Sequence, residues 1–168
     1  MLVRRYRFFR NACIARSASL VLLATAAPAA FAQQVVLSNI RSLDFGRFVA
    51  GSGGTVVVSP SGLRARTGGL VLLNSPDAGQ AGFNIGKFGN GASGGEGKAV
   101  IVSLPADGAI RLVSGASSMA IDDFNTPDTL LPLLAGGTTL SVGATLTVAP
   151  NQAPGAYSGT FPLIVNFQ

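Results

Sequence analysis

The chain has 168 residues, with 12 Lys and Arg against 7 Asp and Glu, no histidine, and a single cysteine, Cys13. Five of the basic residues (Arg4, Arg5, Arg7, Arg10 and Arg16) precede Ser17 and every acid follows it, so the remainder is neutral, seven basic residues facing seven acids. A neutral remainder offers no electrostatic footprint for nucleic acid or an anionic membrane, and without His or Cys it cannot build Cys/His metal sites or perform thiol or histidine acid–base chemistry.

The first element in chain order is a leader. The basic stretch is followed by the short apolar run Ala18–Ala27, by Pro28, and by Ala30-Phe31-Ala32. Basic region, apolar region and a small residue on either side of a larger one is the order of a secretory signal peptide. The apolar run is about half the ~20 residues of a membrane-spanning helix. We therefore expect residues 1–32 to be an export signal cleaved after Ala32. Residues 33–168 are then one exported domain with no membrane span, destined for the periplasm, the cell surface, a fimbrium or the medium. Arg4-Arg5 sits in Val3-Arg4-Arg5-Tyr6-Arg7-Phe8, a poor match to a twin-arginine signal, so the ordinary export route is expected. Cys13 precedes the apolar run, where a lipid-attachment cysteine cannot lie.

Beyond the leader, short Val/Ile/Leu/Thr runs alternate with clusters of Gly, Pro, Asn and Asp, and no stretch keeps the spacing of an amphipathic helix. This pattern predicts an all-β domain, a sandwich or barrel of antiparallel strands. Strands are predicted at Val35–Ile40, Leu43–Val49, Thr55–Ser59, Leu70–Asn74, Gly82–Gly86, Ala99–Leu104, Ala109–Val113, Met119–Phe124, Thr138–Ala149 and Ala156–Phe167. In the ninth, Leu140, Val142, Ala144, Leu146 and Val148 share one face. In the tenth, Tyr157, Gly159, Phe161, Leu163, Val165 and Phe167 do. The loop Pro150–Gly155 between them predicts that the chain ends in a long antiparallel hairpin. Pro162 donates no backbone hydrogen bond, which points to an edge or a bulge there. Most runs are too short, and aromatics too few, for an outer-membrane barrel.

Two loops bear on chemistry. Gly86–Lys98 is glycine-rich but lacks the Gly-Lys-Ser/Thr ending and the following helix of a phosphate-binding loop, so it reads as a hairpin tip. Met119–Asp128 gathers Asp122, Asp123, Asn125 and Asp128, oxygen donors suited to calcium but without the spacing of a calcium loop. Asx-rich turns account for them. A catalytic base could come only from Asp, Glu, Lys or Tyr. Lys87, Glu96 and Lys98 belong to the glycine loop, and Tyr157 to the apolar face of a strand. No nucleophile–base arrangement emerges. We expect no enzyme, no catalytic or cofactor-binding residue, no metal ligand and no cofactor.

The run Val142–Val148, then Gly155-Ala156-Tyr157-Ser158-Gly159-Thr160-Phe161, then Val165-Asn166-Phe167, resembles the closing motif of a secreted bacterial domain family of unknown function. Leu43-Asp44-Phe45-Gly46 looks like its opening motif. That family in turn is similar to chaperone–usher pilins and to spore-coat-U-type secreted proteins. The pilins carry a glycine fourteen places from the end and a penultimate aromatic, here Gly155 and Phe167. The resemblance implies an immunoglobulin-like antiparallel β-sandwich with one strand supplied by a partner, a case of strand addition. It implies as partners copies of the chain or related subunits, together with a periplasmic chaperone and an outer-membrane usher. This chain departs from the pilins in having no cysteine pair and only a short, irregular segment ahead of Leu43.

The expectation is therefore a non-enzymatic exported structural protein, a pilin-like surface or fimbrial subunit. The assembly strand is expected to use Gly155, Tyr157, Phe161, Leu163, Val165 and Phe167, and a donor segment Val35, Val36, Leu37 and Ile40. The rival is a self-contained monomeric binding module for carbohydrate or calcium, using the Gly86–Lys98 and Asp122–Asp128 loops.

Overall fold

A computed structural model describes residues 35–87, 99–134 and 136–168. The leader and most of the glycine-rich loop, with Glu96 and Lys98, lie outside the described residues. The described chain is all-β: β1 (Val35–Arg41), β2 (Phe48–Val49), β3 (Gly54–Val58), β4 (Arg64–Arg66), β5 (Val71–Leu72), β6 (Ala81–Lys87), β7 (Ala99–Ser103), β8 (Ile110–Ser114), β9 (Ser117–Asn125), β10 (Leu130–Pro132), β11 (Thr138–Val148) and β12 (Ile164–Phe167). Every ladder is antiparallel. The sheets pack as a β-sandwich, as the alternation predicts.

Strand β11 organises the domain because its even-numbered residues, Leu140 to Val148, are buried along its whole length. Its first half pairs with β6, which pairs with β1. Its second half lies between β3 and β9, continued outward by β4 and β8. The handover falls at Gly143, where the ladder to β9 is irregular. A Cβ there would run into the Val58 carbonyl oxygen and the Ser59–Pro60 backbone. Glycine is what lets the strand pass so close to β3.

Each half of β11 has its own hydrophobic core. Leu140 and Val142 pack with Ala81, Phe83, Ile85, Val100, Val102, Leu131 and Leu133. These last four come from the facing sheet, in the order β10-β7-β12, or from its flank. Ala144, Leu146 and Val148 pack with Phe45, Val56, Val58, Leu70, Met119 and Ile121. Over this core the facing layer is only the two-stranded β2–β5 ribbon and the irregular chain on either side of it.

The C-terminal hairpin is corrected by the ladders. Strand β12 pairs with β7, as Ile164↔Ser103 through Phe167↔Val100, and not with β11. Both sides of the second half of β11 are already occupied by β3 and β9, so the Pro150–Gly155 loop carries the chain across to the other layer. The second and the last predicted strands are also shortened. Of Leu43–Val49, only Phe48–Val49 is a strand, with a single bridge at Asp44↔Gly79. Of Ala156–Phe167, only Ile164–Phe167 is a strand, with a single bridge at Ser158↔Val113. Leu70–Asn74 contracts to β5. The strands β4 and β10 escape the hydrophobic pattern, one being Arg-Ala-Arg and the other ending in a proline.

Candidate functional site

The ribbon Tyr157–Phe167 keeps its alternation although only its end is laddered. Tyr157 packs against the first core, and Phe161, Leu163, Val165 and Phe167 against the second. All five are half-buried, while Ser158, Thr160, Pro162, Ile164 and Asn166 are exposed. Phe161 lies edge-on to Phe83, with ring centroids 6.0 Å apart, and tilted against Phe124 at 5.0 Å. Gly155 is exposed at the head of the ribbon. Gly159 passes so close to the Arg111 carbonyl and Leu112 that a side chain would not fit. Apart from the bridge at Ser158, the backbone from Ala156 to Leu163 makes no ladder among the described residues.

The head of this ribbon is one wall of a groove of ≈ 1070 Å³. The opposite wall is the stretch Ser42–Gly51, and the floor holds Leu112, Met119 and Leu146 of the first core. Phe45 and Phe48 enter from one wall and Tyr157 from the other. The Ser42–Gly51 wall is laddered at Phe48–Val49 to β5, and individual bonds hold the rest of each wall. Asp44 and Gly79 exchange two backbone hydrogen bonds, and Arg47 N donates to Ser75 Oγ at 2.8 Å. Val113 and Ser158 likewise exchange two, and Asn151 N donates to Gly51 O, tying the walls together at that point. Tyr157 Oη donates to Ala153 O at 2.7 Å and accepts from Gln152 Nε2 at 2.9 Å. Both phenol hydrogen-bonding roles are therefore filled, and the half-buried ring sits in a fixed place. Charge is confined to Asp44, Arg47 and Asp77 among the lining residues.

The expected donor residues Val35, Val36, Leu37 and Ile40 lie in β1, laddered to β6 of the same chain from Val35↔Lys87 to Arg41↔Gly82. Val35 packs against the second core, whereas Leu37 is 37% and Ile40 61% exposed. Strands β1 and β12 are each an edge strand of their sheet.

The acidic residues serve the backbone. Asp122 Oδ1 accepts from Gly108 N at 2.8 Å, and Thr147 Oγ1 donates to Asp122 Oδ2 at 3.3 Å. Asp107 Oδ1 accepts from Asp123 N at 2.8 Å, and Asn125 Nδ2 donates to the Asp123 carbonyl. These bonds pin the turn between β7 and β8 to β9. Among the described residues no group of three or more His, Cys, Asp or Glu is placed to hold a metal ion. No helix among them is long and apolar enough to cross a membrane.

Sequence reasoning locates the apolar ribbon but misses the groove. Leu112 and Met119 read only as ordinary core positions, and Gln152 only as a loop residue. The available signal was the pair of strand-like runs at Leu43–Val49 and Ala156–Phe161, each interrupted by glycines.

No characterised protein and no solved structure matches the chain significantly. The match of residues 35–167 to the family model described as a domain of unknown function, DUF4402, spans the whole sandwich, and the chain belongs to that family.

Proposed function

We propose that the protein is an exported, non-enzymatic structural subunit of the cell surface, pilin-like and immunoglobulin-like in plan, whose sandwich is completed by a strand from a neighbouring subunit. A single observation carries this reading. The first core is roofed by two segments with strand-like sequence but almost no ladder, and the groove between them has an apolar floor. An unpaired backbone edge beside exposed apolar side chains is a hazard in a soluble protein and a natural seat for an added strand. Ladder bonds along the wall would supply affinity, and pockets for alternate side chains would supply specificity. A head-to-tail contact of this kind that does not close generates a fibre. The partners are copies of the chain or related subunits, delivered by a periplasmic chaperone and an outer-membrane usher.

The test is the state of the protein recovered after export. Size-exclusion chromatography and electron microscopy are expected to find it in heat-labile oligomers or fibres, or bound to another subunit. A cooperatively folding monomer that never associates, and whose melting temperature rises with calcium or an oligosaccharide, contradicts the proposal and favours a binding module.

A further inference from the structure

We propose that Asp107 is a site of spontaneous isoaspartate formation that the fold holds silent, because hydrogen bonds with β9 occupy both of the groups that must react. The chemistry is independent of what the protein assembles with.

Asp107-Gly108 is the only Asp–Gly pair in the chain. Such a pair is chemically weak, because glycine puts no side chain beside the amide nitrogen that attacks the carboxyl. Both residues are exposed in the turn between β7 and β8, which Ala109 N closes by donating to the Ala106 carbonyl. Gly108, the third residue of that turn, has φ 75°, as a type II turn requires, and a Cβ on it would meet nothing within 4 Å. In the reaction Gly108 N gives up its proton and attacks Cγ of the protonated Asp107 carboxyl. An N–Cγ bond forms, the Cγ–OH bond breaks, and the OH leaves with that proton as water. Water then opens the imide ring at either carbonyl. One opening restores aspartate, and the other leaves isoaspartate, with the chain routed through the former side chain.

In the fold neither group is free to react. Gly108 N donates to Asp122 Oδ1 at 2.8 Å, so the attacking nitrogen is committed to a carboxylate acceptor, among the stronger kinds of hydrogen bond. Asp107 Oδ1 accepts from Asp123 N at 2.8 Å, which holds the carboxyl on β9. The bonds are reciprocal, with the turn and β9 each giving one amide and one carboxyl. Asp122 is steadied in its place by Thr147 Oγ1 of β11. Strand β9 is shaped for the exchange. Asp123 has φ 50°, in the left-handed region that few residues other than glycine enter and that Asp tolerates better than most. It sits where the ladder to β11 is irregular, between the paired residues Asp122 and Asn125. A bulge of this kind re-aims what it carries, and the Asp123 amide that it takes out of the ladder is the one that holds Asp107. Ring closure must bring Gly108 N onto Asp107 Cγ, so both bonds have to open first. The rate then follows the fraction of time that the turn is off β9.

The experiment incubates the exported protein and a synthetic peptide of Leu104–Ile110 side by side, at neutral pH and below the melting transition. Isoaspartate at position 107 is quantified by electron-transfer mass spectrometry of proteolytic digests. It is expected to form about tenfold or more slowly in the folded protein than in the peptide. The variant Asp122→Ala, folded by its spectrum, is expected to speed the reaction in the protein by about tenfold. Ile85→Ala weakens the second core, seven residues along β11 from the partner of Asp122 (Ile85 pairs with Thr138, and Asp122 with Thr145). It is expected to leave the rate within about twofold of the unsubstituted chain, which separates local guarding from general destabilisation. A folded protein that reacts as fast as the peptide overturns the inference, whether or not either variant folds. So does a folded Asp122→Ala protein that reacts no faster than the unsubstituted chain, and so does an Ile85→Ala protein that speeds up as much as Asp122→Ala.

Discussion

The two halves of β11 have the same alternating sequence and the same depth of burial, yet they support different structures. Leu140 and Val142 lie between two hydrogen-bonded sheets. Ala144, Leu146 and Val148 lie between one sheet and a patchwork of ribbon and irregular chain, where the groove opens. Burial of a strand's inner face thus does not require a laddered strand opposite it. Side chains such as Phe45 and Tyr157 can cover a core while the backbone that carries them stays free. What separates the halves is the chemistry of the covering segments. Strands β7 and β12 are unbroken Val/Ile-rich runs, whereas Gly46, Gly51, Pro154, Gly155 and Gly159 interrupt the chain over the first core.

This contrast can be broken at its pivot. Substituting Gly143→Val drives a side chain into the β3 backbone and is expected to cost more than about 4 kcal/mol, at the diagnostic extreme of single substitutions. Loss of soluble, protease-resistant protein is the readout. The next effect sharpens the comparison. Leu140→Ala and Leu146→Ala remove equally buried side chains, each 1% exposed. Within the usual range of about 2–5 kcal/mol, Leu140→Ala is expected to be the more costly, because the open side of the first core can relax into the cavity. Denaturant midpoints decide it, and the reverse order would show the roof over the first core to be the more rigid. Smaller again is Tyr157→Phe. It keeps the ring and deletes the hydroxyl bonded to Ala153 and Gln152, for about 1 kcal/mol and a melting temperature lower by about 4 °C.

The fold class was legible because period-two alternation is dictated by the pleat, and it held even where the ladder did not: Tyr157, Phe161, Leu163, Val165 and Phe167 all turn inward. Pairing was not legible. Nothing in Leu140–Val148 or Tyr157–Phe167 says which strand lies alongside, and proximity in sequence suggested a hairpin that the occupied flanks of β11 forbid. The groove was invisible for a related reason. It lies where the segments over the first core are mostly unladdered among the described residues, and sequence periodicity reports which way side chains face, not whether backbone groups are paired. The acidic cluster at Asp122–Asp128 shows the converse: Asp122, suited to calcium by composition, accepts from the Gly108 amide and the Thr147 hydroxyl, while the Asp123 amide is bonded by Asp107 from the facing turn.

The claim that an incoming strand pairs with the groove wall is tested most directly by amide hydrogen exchange at Ala156, Tyr157 and Gly159, compared between isolated and assembled protein. None of these amides makes a backbone hydrogen bond among the described residues. The account predicts rapid exchange in the isolated chain and slowing by orders of magnitude on assembly, alongside unchanged protection in β7 and β11. Amides already protected in the monomer, or equally fast in both states, would contradict it.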